Sequence, residues 1–351
     1  MTGTRQNNKG KLACVTGASG YVGSHVVREL LERGYNVRAT VRDANNEKKT
    51  AHLREIAEGK DGSLEIVSAN LMDTDAFDQP FAGCDFVCHV AASVKLTAKD
   101  PQKEIVDPAV EGTLNALRSA KKAGTVERFV LTSSVAAVYN INPRPNHTYT
   151  EEDWCQDASL NESPYPLAKT ESEKAAWAFL KDESPSFDMV VINPGYVMGP
   201  VYTEAHLRSS PTLLRDLMTG KFPMTPQFNF GVVDVREVAD AHVNALEIPE
   251  VGGKRYMLYA EPMTVLAMAR AMRQQYPDRK QIPKRNMPNF IMYIVALFDK
   301  RLNFAFLRRN LNQVTKVDNS RSVNELQIQY RPGTESVVAT SQTMLERNLI
   351  S

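Results

Sequence analysis

Tyr165 and Lys169 stand four residues apart in Ser163-Pro164-Tyr165-Pro166-Leu167-Ala168-Lys169. At the start of a helical pattern, that spacing puts both side chains on one face, a turn apart. An unperturbed phenol titrates at about pH 10, too high for efficient acid or base work at neutrality. A neighbouring ammonium favours the phenolate and is expected to bring the phenol toward the working range. A proton carrier of this kind needs a partner that holds the oxygen it serves. Leu131-Thr132-Ser133-Ser134-Val135 supplies hydroxyls at a strand tip, where ligands of parallel sheets gather. Ser134 is the preferred group for bonding a substrate carbonyl, with Ser133 as the alternative.

What these groups could act with is indicated near residue 16. After the apolar run Leu12-Ala13-Cys14-Val15 comes Thr16-Gly17-Ala18-Ser19-Gly20-Tyr21-Val22-Gly23, a strand that ends in a glycine-rich turn opening a helix. Gly17 permits the tight turn, Gly20 lets the backbone approach a pyrophosphate, and Gly23 lets helix and strand pack closely. The N–H groups and positive end of the helix would hold the phosphate charge. A second strand ends at Arg42-Asp43, with Lys48 and Lys49 a short loop away. A carboxylate there would bind the ribose hydroxyls of NAD, whereas cations accept a 2′-phosphate. Arg42 comes first, so the expected cofactor is NADPH, with Asp43 as the feature that would serve NAD.

The elements that must position these residues are legible as alternating patterns. Strands are expected at 35–41, 64–67, 86–90, 129–132 and 189–192, and helices at 47–57, 106–123 and 165–180. Gly34 ends the first helix. The expected fold is α/β, a doubly wound parallel (Rossmann) sheet with a smaller C-terminal substrate lobe. The boundaries fall at 8–194 for the nucleotide domain, with 232–260 returning to it, and at 195–231 and 261–351 for the lobe. The chain has 351 residues, 42% apolar and 24% charged, with a net charge of +1. That balance gives no reason to expect nucleic acid or an anionic membrane as partner. Its most apolar stretch, 290–298, falls short of the ~20 residues of a membrane span and is expected to be a buried helix or a subunit contact. The polar first residues and four unpatterned cysteines suggest a cytoplasmic protein with reduced thiols. His25, His52, His147 and His206 lack metal-ligand spacing and are given no role; no metal is expected. Trp154 is read as a loop anchor.

Together these segments resemble the extended short-chain dehydrogenase/reductase family, from about residue 12 to the C-terminus. Ser134, Tyr165 and Lys169 fall on its catalytic triad, and Thr16 to Gly23 on its cofactor turn. His89-Val90-Ala91-Ala92 resembles its fourth-strand segment, and Asn193-Pro194-Gly195-Tyr196-Val197-Met198-Gly199-Pro200 the stretch passing the nicotinamide. Val233-Asp234-Val235-Arg236-Glu237-Val238 resembles a later strand-to-helix junction. Ala39-Thr40-Val41-Arg42-Asp43 is most similar to the dihydroflavonol reductase, cinnamoyl-CoA reductase and yeast-type ketoaldehyde reductase branch. The resemblance implies a cofactor site formed by Thr16, Gly17, Ser19, Gly20, Tyr21, Val22, Gly23, Arg42, Lys49, Asn70, Leu71, Val90, Ala91, Ala92, Thr132, Pro194, Gly195 and Val197 with Tyr165 and Lys169. Asn70 stands where the family often has aspartate. The approach Asn161-Glu162-Ser163-Pro164 lacks the cinnamoyl-CoA reductase pattern, which favours an aldehyde or ketone over a thioester. Tyr139 falls where the flavonoid enzymes have a polar substrate contact.

The expected activity is NADPH-dependent reduction of an aldehyde or ketone to the alcohol. Tyr165 would serve as proton donor, Ser134 would hold the oxygen, and Lys169 would tune the phenol and bond the nicotinamide ribose. Candidate substrate contacts are Ser93, Tyr139, Met198 and Tyr202, with Met218, Phe222 and Phe228 further off in the lobe. The alternatives are an NAD-dependent nucleotide-sugar epimerase or dehydratase, for which Arg208 and Arg215 would grip a diphosphate, a hydroxysteroid dehydrogenase, or a redox-sensing binding module. Either a monomer or a homodimer is compatible with the sequence.

Overall fold

In the computed structural model the described residues are 5–92, 98–140, 144, 146–297 and 304–350. The apolar run after Lys11 forms strand β1 (Leu12–Thr16), followed by β2 (Asn36–Val41), β3 (Leu64–Ser68), β4 (Phe86–His89) and β5 (Arg128–Thr132). Then come β6 (Thr148–Tyr149), β7 (Asp188–Pro194), β8 (Tyr196–Met198), β9 (Asn229–Asp234), β10 (Arg255–Leu258), β11 (Glu261–Thr264) and β12 (Lys316–Val317). Seven of these make one parallel sheet in the order β10-β7-β5-β4-β1-β2-β3. Their central residues, such as Val15, Val87, Val130 and Val190, are fully buried, as expected for strands covered on both faces. Crossover helices Tyr21–Glu32, Glu47–Ala57, Asp107–Ala123 and Pro164–Glu183 link them. The strand order reverses between β1 and β4, so a crevice opens at the carboxyl ends of those two strands. The chain is thus a doubly wound Rossmann-like α/β protein.

The segment after Gly195 divides its allegiance. Strand β10 joins the main sheet beside β7, and helix Val235–Glu247 packs against helix Tyr21–Glu32. Strand β9 instead lies in a small sheet with β8 and β11. Two glycines allow this crossing, since a Cβ on Gly195 would sit 2.3 Å from the Gly231 carbonyl oxygen. Asp234 then starts the next helix with a capping box completed by Glu237. Helix Gly333–Glu346 covers the small sheet, its Thr340 hydroxyl accepting from the Gly199 N–H at 2.7 Å.

The apolar stretch near 290 is not a buried helix. Helix Asn289–Ala296 buries only Met292, and Phe290 is 65% exposed, with Ile294 and Leu297 also at the surface. Leucine-like composition alone does not say whether a partner face exists within the chain, and here the chain supplies cover for one side only. No helix among the described residues is long and apolar enough to cross a membrane. The four cysteines are free and buried.

Candidate active site

The glycine-rich turn has the geometry its residues suggest. Gly17 takes φ +65°, and a Cβ there would lie 2.8 Å from Ala91 Cα, so only glycine lets β1 and β4 approach at the crevice. At Gly23 a Cβ would meet the Gly17 oxygen at 2.4 Å, which seats the helix directly on the turn. Gly20 is the N-cap and supplies no side-chain cap, leaving the first N–H groups of the helix (Tyr21, Val22) without side-chain partners. An anion is what such a terminus accepts. The neighbouring side chains face inward and hold the turn. Thr16 is buried, with its hydroxyl accepting from the Val90 and Ala91 N–H groups at 3.1 and 3.0 Å. The Tyr21 hydroxyl donates to the Gly199 carbonyl at 2.9 Å.

Behind the turn lies a cluster that sequence reading left without a role. Ser24 Oγ is 2.9 Å from His52 Nε2, while His206 Nε2 donates to the Ser19 carbonyl and His25 Nε2 to the Pro200 carbonyl. Burial holds all three imidazoles neutral, pushed down to about 4, 4 and 3 for His25, His52 and His206. Nothing in their sequence spacing brings them together; three separate elements do.

At the end of β2, Arg42, Lys48 and Lys49 are exposed, and their side chains carry no ion pair or hydrogen bond among the described residues. Asp43 already accepts from the Asn45 N–H at 3.0 Å. Three cations against this one carboxylate leave the balance of charge at the edge positive. Asn70, at the end of β3, is exposed and bonds Asp73 through Nδ2, which leaves its carbonyl oxygen available. These residues fit a dinucleotide, whose pyrophosphate the helix N-terminus would hold.

Across the crevice, helix Pro164–Glu183 brings Tyr165 and Lys169 to the tip of β5. Ser134, which caps the short turn after β5 by accepting from the Ala136 N–H, lies near enough to Tyr165 to pull its phenol down. Lys169 Nζ donates to the Thr132 carbonyl at 3.4 Å. Both side chains line a small cavity of about 20 Å³ with Leu71, His89, Ala91, Ala92, Thr132 and Ser133. The Ser133 hydroxyl donates to Glu173 Oε2 at 2.5 Å in the interior. The Thr132 hydroxyl is likewise committed, donating to His242 Nε2 at 2.7 Å, because His242 gives its Nδ1–H to the Val238 carbonyl.

The expected lowering of the phenol is not what the geometry produces. Burial pushes Tyr165 up, only partly offset by the Ser134 bond, and burial brings Lys169 down to about 8 against the pull of Glu173. Desolvation outweighs the charge a turn away. Glu173, one turn beyond Lys169, went unnoticed in the sequence although its spacing continues the same face. It is fully buried and takes bonds from Ser133, Asn193 Nδ2 at 2.8 Å and Arg255 Nε at 2.5 Å. Arg255 stacks 3.8 Å over Trp154, which fastens the 151–155 loop.

Several predicted contacts lie elsewhere. Met198 and Met218 are fully buried in the core, and Tyr202 packs 4.7 Å from the His25 ring behind the glycine-rich turn. None of them lines the cavity. Tyr139 lies five residues past Ser134 and packs on Tyr149 at 5.0 Å. Val197 gives its carbonyl to the Ser210 hydroxyl, and Gly195 its N–H to Leu258. Ser93 falls outside the described residues. Among the described residues, no group of three or more histidine, cysteine or acidic side chains is placed to hold a metal.

The model of the NAD-dependent epimerase/dehydratase family matches residues 13–258, from the first strand through β10. The chain belongs to that family. Within this extended short-chain dehydrogenase/reductase group its relatives include a cinnamoyl-CoA reductase of Medicago truncatula, 41% identical over 80% of this chain and 85% of that one. A dihydroflavonol 4-reductase of Arabidopsis thaliana is 35% identical over 76% of this chain and 69% of its own length. Among solved structures, the yeast methylglyoxal/isovaleraldehyde reductase Gre2 complexed with NADPH superposes with a TM-score of 0.77 at 28% identity, covering 97% of this chain and all of that one. The family member described here is thus an oxidoreductase whose relatives are reductases.

Proposed function

We propose that this chain reduces an aldehyde or ketone to the alcohol with NADPH. The observation that carries the reading is the meeting of Ser134, Tyr165 and Lys169 at the β5 tip, across the crevice from an uncapped helix N-terminus. NADPH, when bound, supplies the hydride. Ser134 holds the substrate oxygen, and Tyr165 gives its proton to that oxygen as the alcohol forms. A phenol kept protonated by burial is ready to act as an acid, and Lys169 offsets the charge left behind. The oriented pair also saves the entropy of assembling acid and substrate. The free Arg42, Lys48 and Lys49 support NADPH over NADH, as does the NADPH complex of the similar yeast reductase. Arg215, which an epimerase reading would place on a diphosphate, is paired with Asp216 at 2.7 Å.

Tyr165→Phe keeps the ring and removes the proton. Turnover of carbonyl compounds should fall by about 10²–10⁴-fold, with NADPH binding retained. Near-normal turnover in that variant overturns the proposal.

A further inference from the structure

His89 ends β4 with its ring between Phe77 and Phe129, 6.1 and 5.7 Å between centroids, and is 1% exposed. Its Nδ1 lies 3.0 Å from Thr16 Oγ1. That hydroxyl oxygen already accepts two backbone N–H bonds, from Val90 and Ala91. Both its lone pairs are used, so Thr16 can only donate to the ring, and Nδ1 is the acceptor. Burial keeps the imidazole neutral, pushed down to about 3. Its one proton therefore sits on Nε2. No protein atom among the described residues accepts from that Nε2–H. A buried donor left so is costly and calls for a partner.

The surroundings indicate which partner. His89 lines the same cavity as Lys169 and Thr113, and the Lys169 charge acts on the imidazole. Among the described residues Lys169 has one acceptor, the Thr132 carbonyl at 3.4 Å. The Thr113 hydroxyl donates to the Ala109 carbonyl at 2.9 Å, which leaves its own oxygen free to accept. Two donors and one acceptor thus line one small cavity. Tyr165 and Glu173 on its own helix and His89 on β4 are the titratable groups facing Lys169. Strand β5 and helix Asp107–Ala123 present Leu131, Thr132, Ser133, Ala109 and Thr113, all uncharged.

We propose that His89 is a positioning residue: its Nε2–H and the Lys169 ammonium together hold one buried water, which donates in turn to Thr113. The water gives the ammonium a second acceptor and so preserves the charge beside Tyr165. The inference rests on the catalytic reading of Tyr165 and Lys169 above. The same oxygen position could be filled by a ribose hydroxyl of the nucleotide, which also accepts from an N–H.

The test reads Lys169 directly in the cofactor-free protein, from the pH dependence of its acylation followed by peptide mass spectrometry. His89→Leu and Thr113→Val each remove one partner of the water, and His89→Gln keeps a donor near Nε2. The Lys169 midpoint should drop by about one pH unit in His89→Leu, drop less in Thr113→Val, and stay near the wild-type value in His89→Gln. If His89→Leu fails to fold, Thr113→Val still decides, because an isostere on an outer helix leaves the sheet intact. An unmoved midpoint in folded His89→Leu or Thr113→Val overturns the proposal. So does a tenfold loss of NADPH affinity with the midpoint unchanged, which would give the oxygen to the nucleotide. Tyr165→Phe, measured in parallel, separates the two ideas: its loss of turnover leaves the catalytic reading standing whatever His89 does.

Discussion

Replacing Arg42 with serine tests the cofactor assignment at its weakest point. Arg42 is exposed and its side chain forms no ion pair or hydrogen bond among the described residues, so its removal should leave stability within about 0.5 kcal/mol. On the proposed reading, its value lies in contact with the 2′-phosphate. A hydrogen bond to a charged group contributes about 1.5–3 kcal/mol, and exposure to solvent and salt reduces that toward the low end. Lys48 and Lys49 remain nearby and retain part of the attraction. A loss of about 1–2 kcal/mol is expected, equal to about a 5- to 30-fold weaker Kd for NADPH. NADH lacks the phosphate, so its affinity should barely change. Fluorescence titration of both nucleotides at low and moderate salt measures this, and the gap between them should shrink as salt rises. Equal losses for NADPH and NADH would show that Arg42 acts on the adenosine in general, and the charge argument would fail.

Gly23→Ala places a methyl group 2.4 Å from the Gly17 oxygen, so the turn must open; NADPH should no longer raise Tm in a thermal melt, although it does so in the parent. Glu173→Gln keeps the shape but leaves Arg255 buried without its counter-charge; a cost of about 3–5 kcal/mol should appear as a fall of several degrees in Tm, and an unchanged Tm would show the pair to be inert. Carbonyl reduction should decline as pH rises through about 8, where Lys169 loses its proton, as read from kcat/KM against pH. Stability should fall on the acid side for a different reason. His25, His52 and His206 are held neutral down to about 4, 4 and 3, whereas free histidine titrates at about 6.5. The unfolded chain therefore binds more protons below pH 6.5, and each such histidine costs up to about 1.4 kcal/mol per pH unit until its folded value is reached. Glu237 and Asp240, raised to about 7 and 6, oppose this trend but are fewer. A Tm that stays level from pH 7 to pH 5 would contradict the sign.

The sequence by itself determined the sheet, because strand and helix periodicities are local. The expected strands at 64–67 and 129–132 differ from β3 and β5 by a single residue, and the helices 47–57 and 106–123 stand almost as drawn. It also determined which residues share a helix face, since the spacing of Tyr165, Lys169 and Glu173 is a property of the helix alone. Tertiary structure decided what spacing cannot carry. Ser133 and Ser134 are adjacent in sequence, and only the arrival of Glu173 beneath the sheet commits one hydroxyl inward and leaves the other facing Tyr165. Met198 and Tyr202 follow the crevice segment in sequence yet are carried away from it by the pairing of β8 with β9. His25, His52 and His206 come from three elements and meet only because helix Tyr21–Glu32 is covered on that side. The direction of the Tyr165 shift was beyond sequence for the same reason: charge proximity can be read from spacing, but desolvation is set by everything packed around the group, and here burial outweighs the nearby charge.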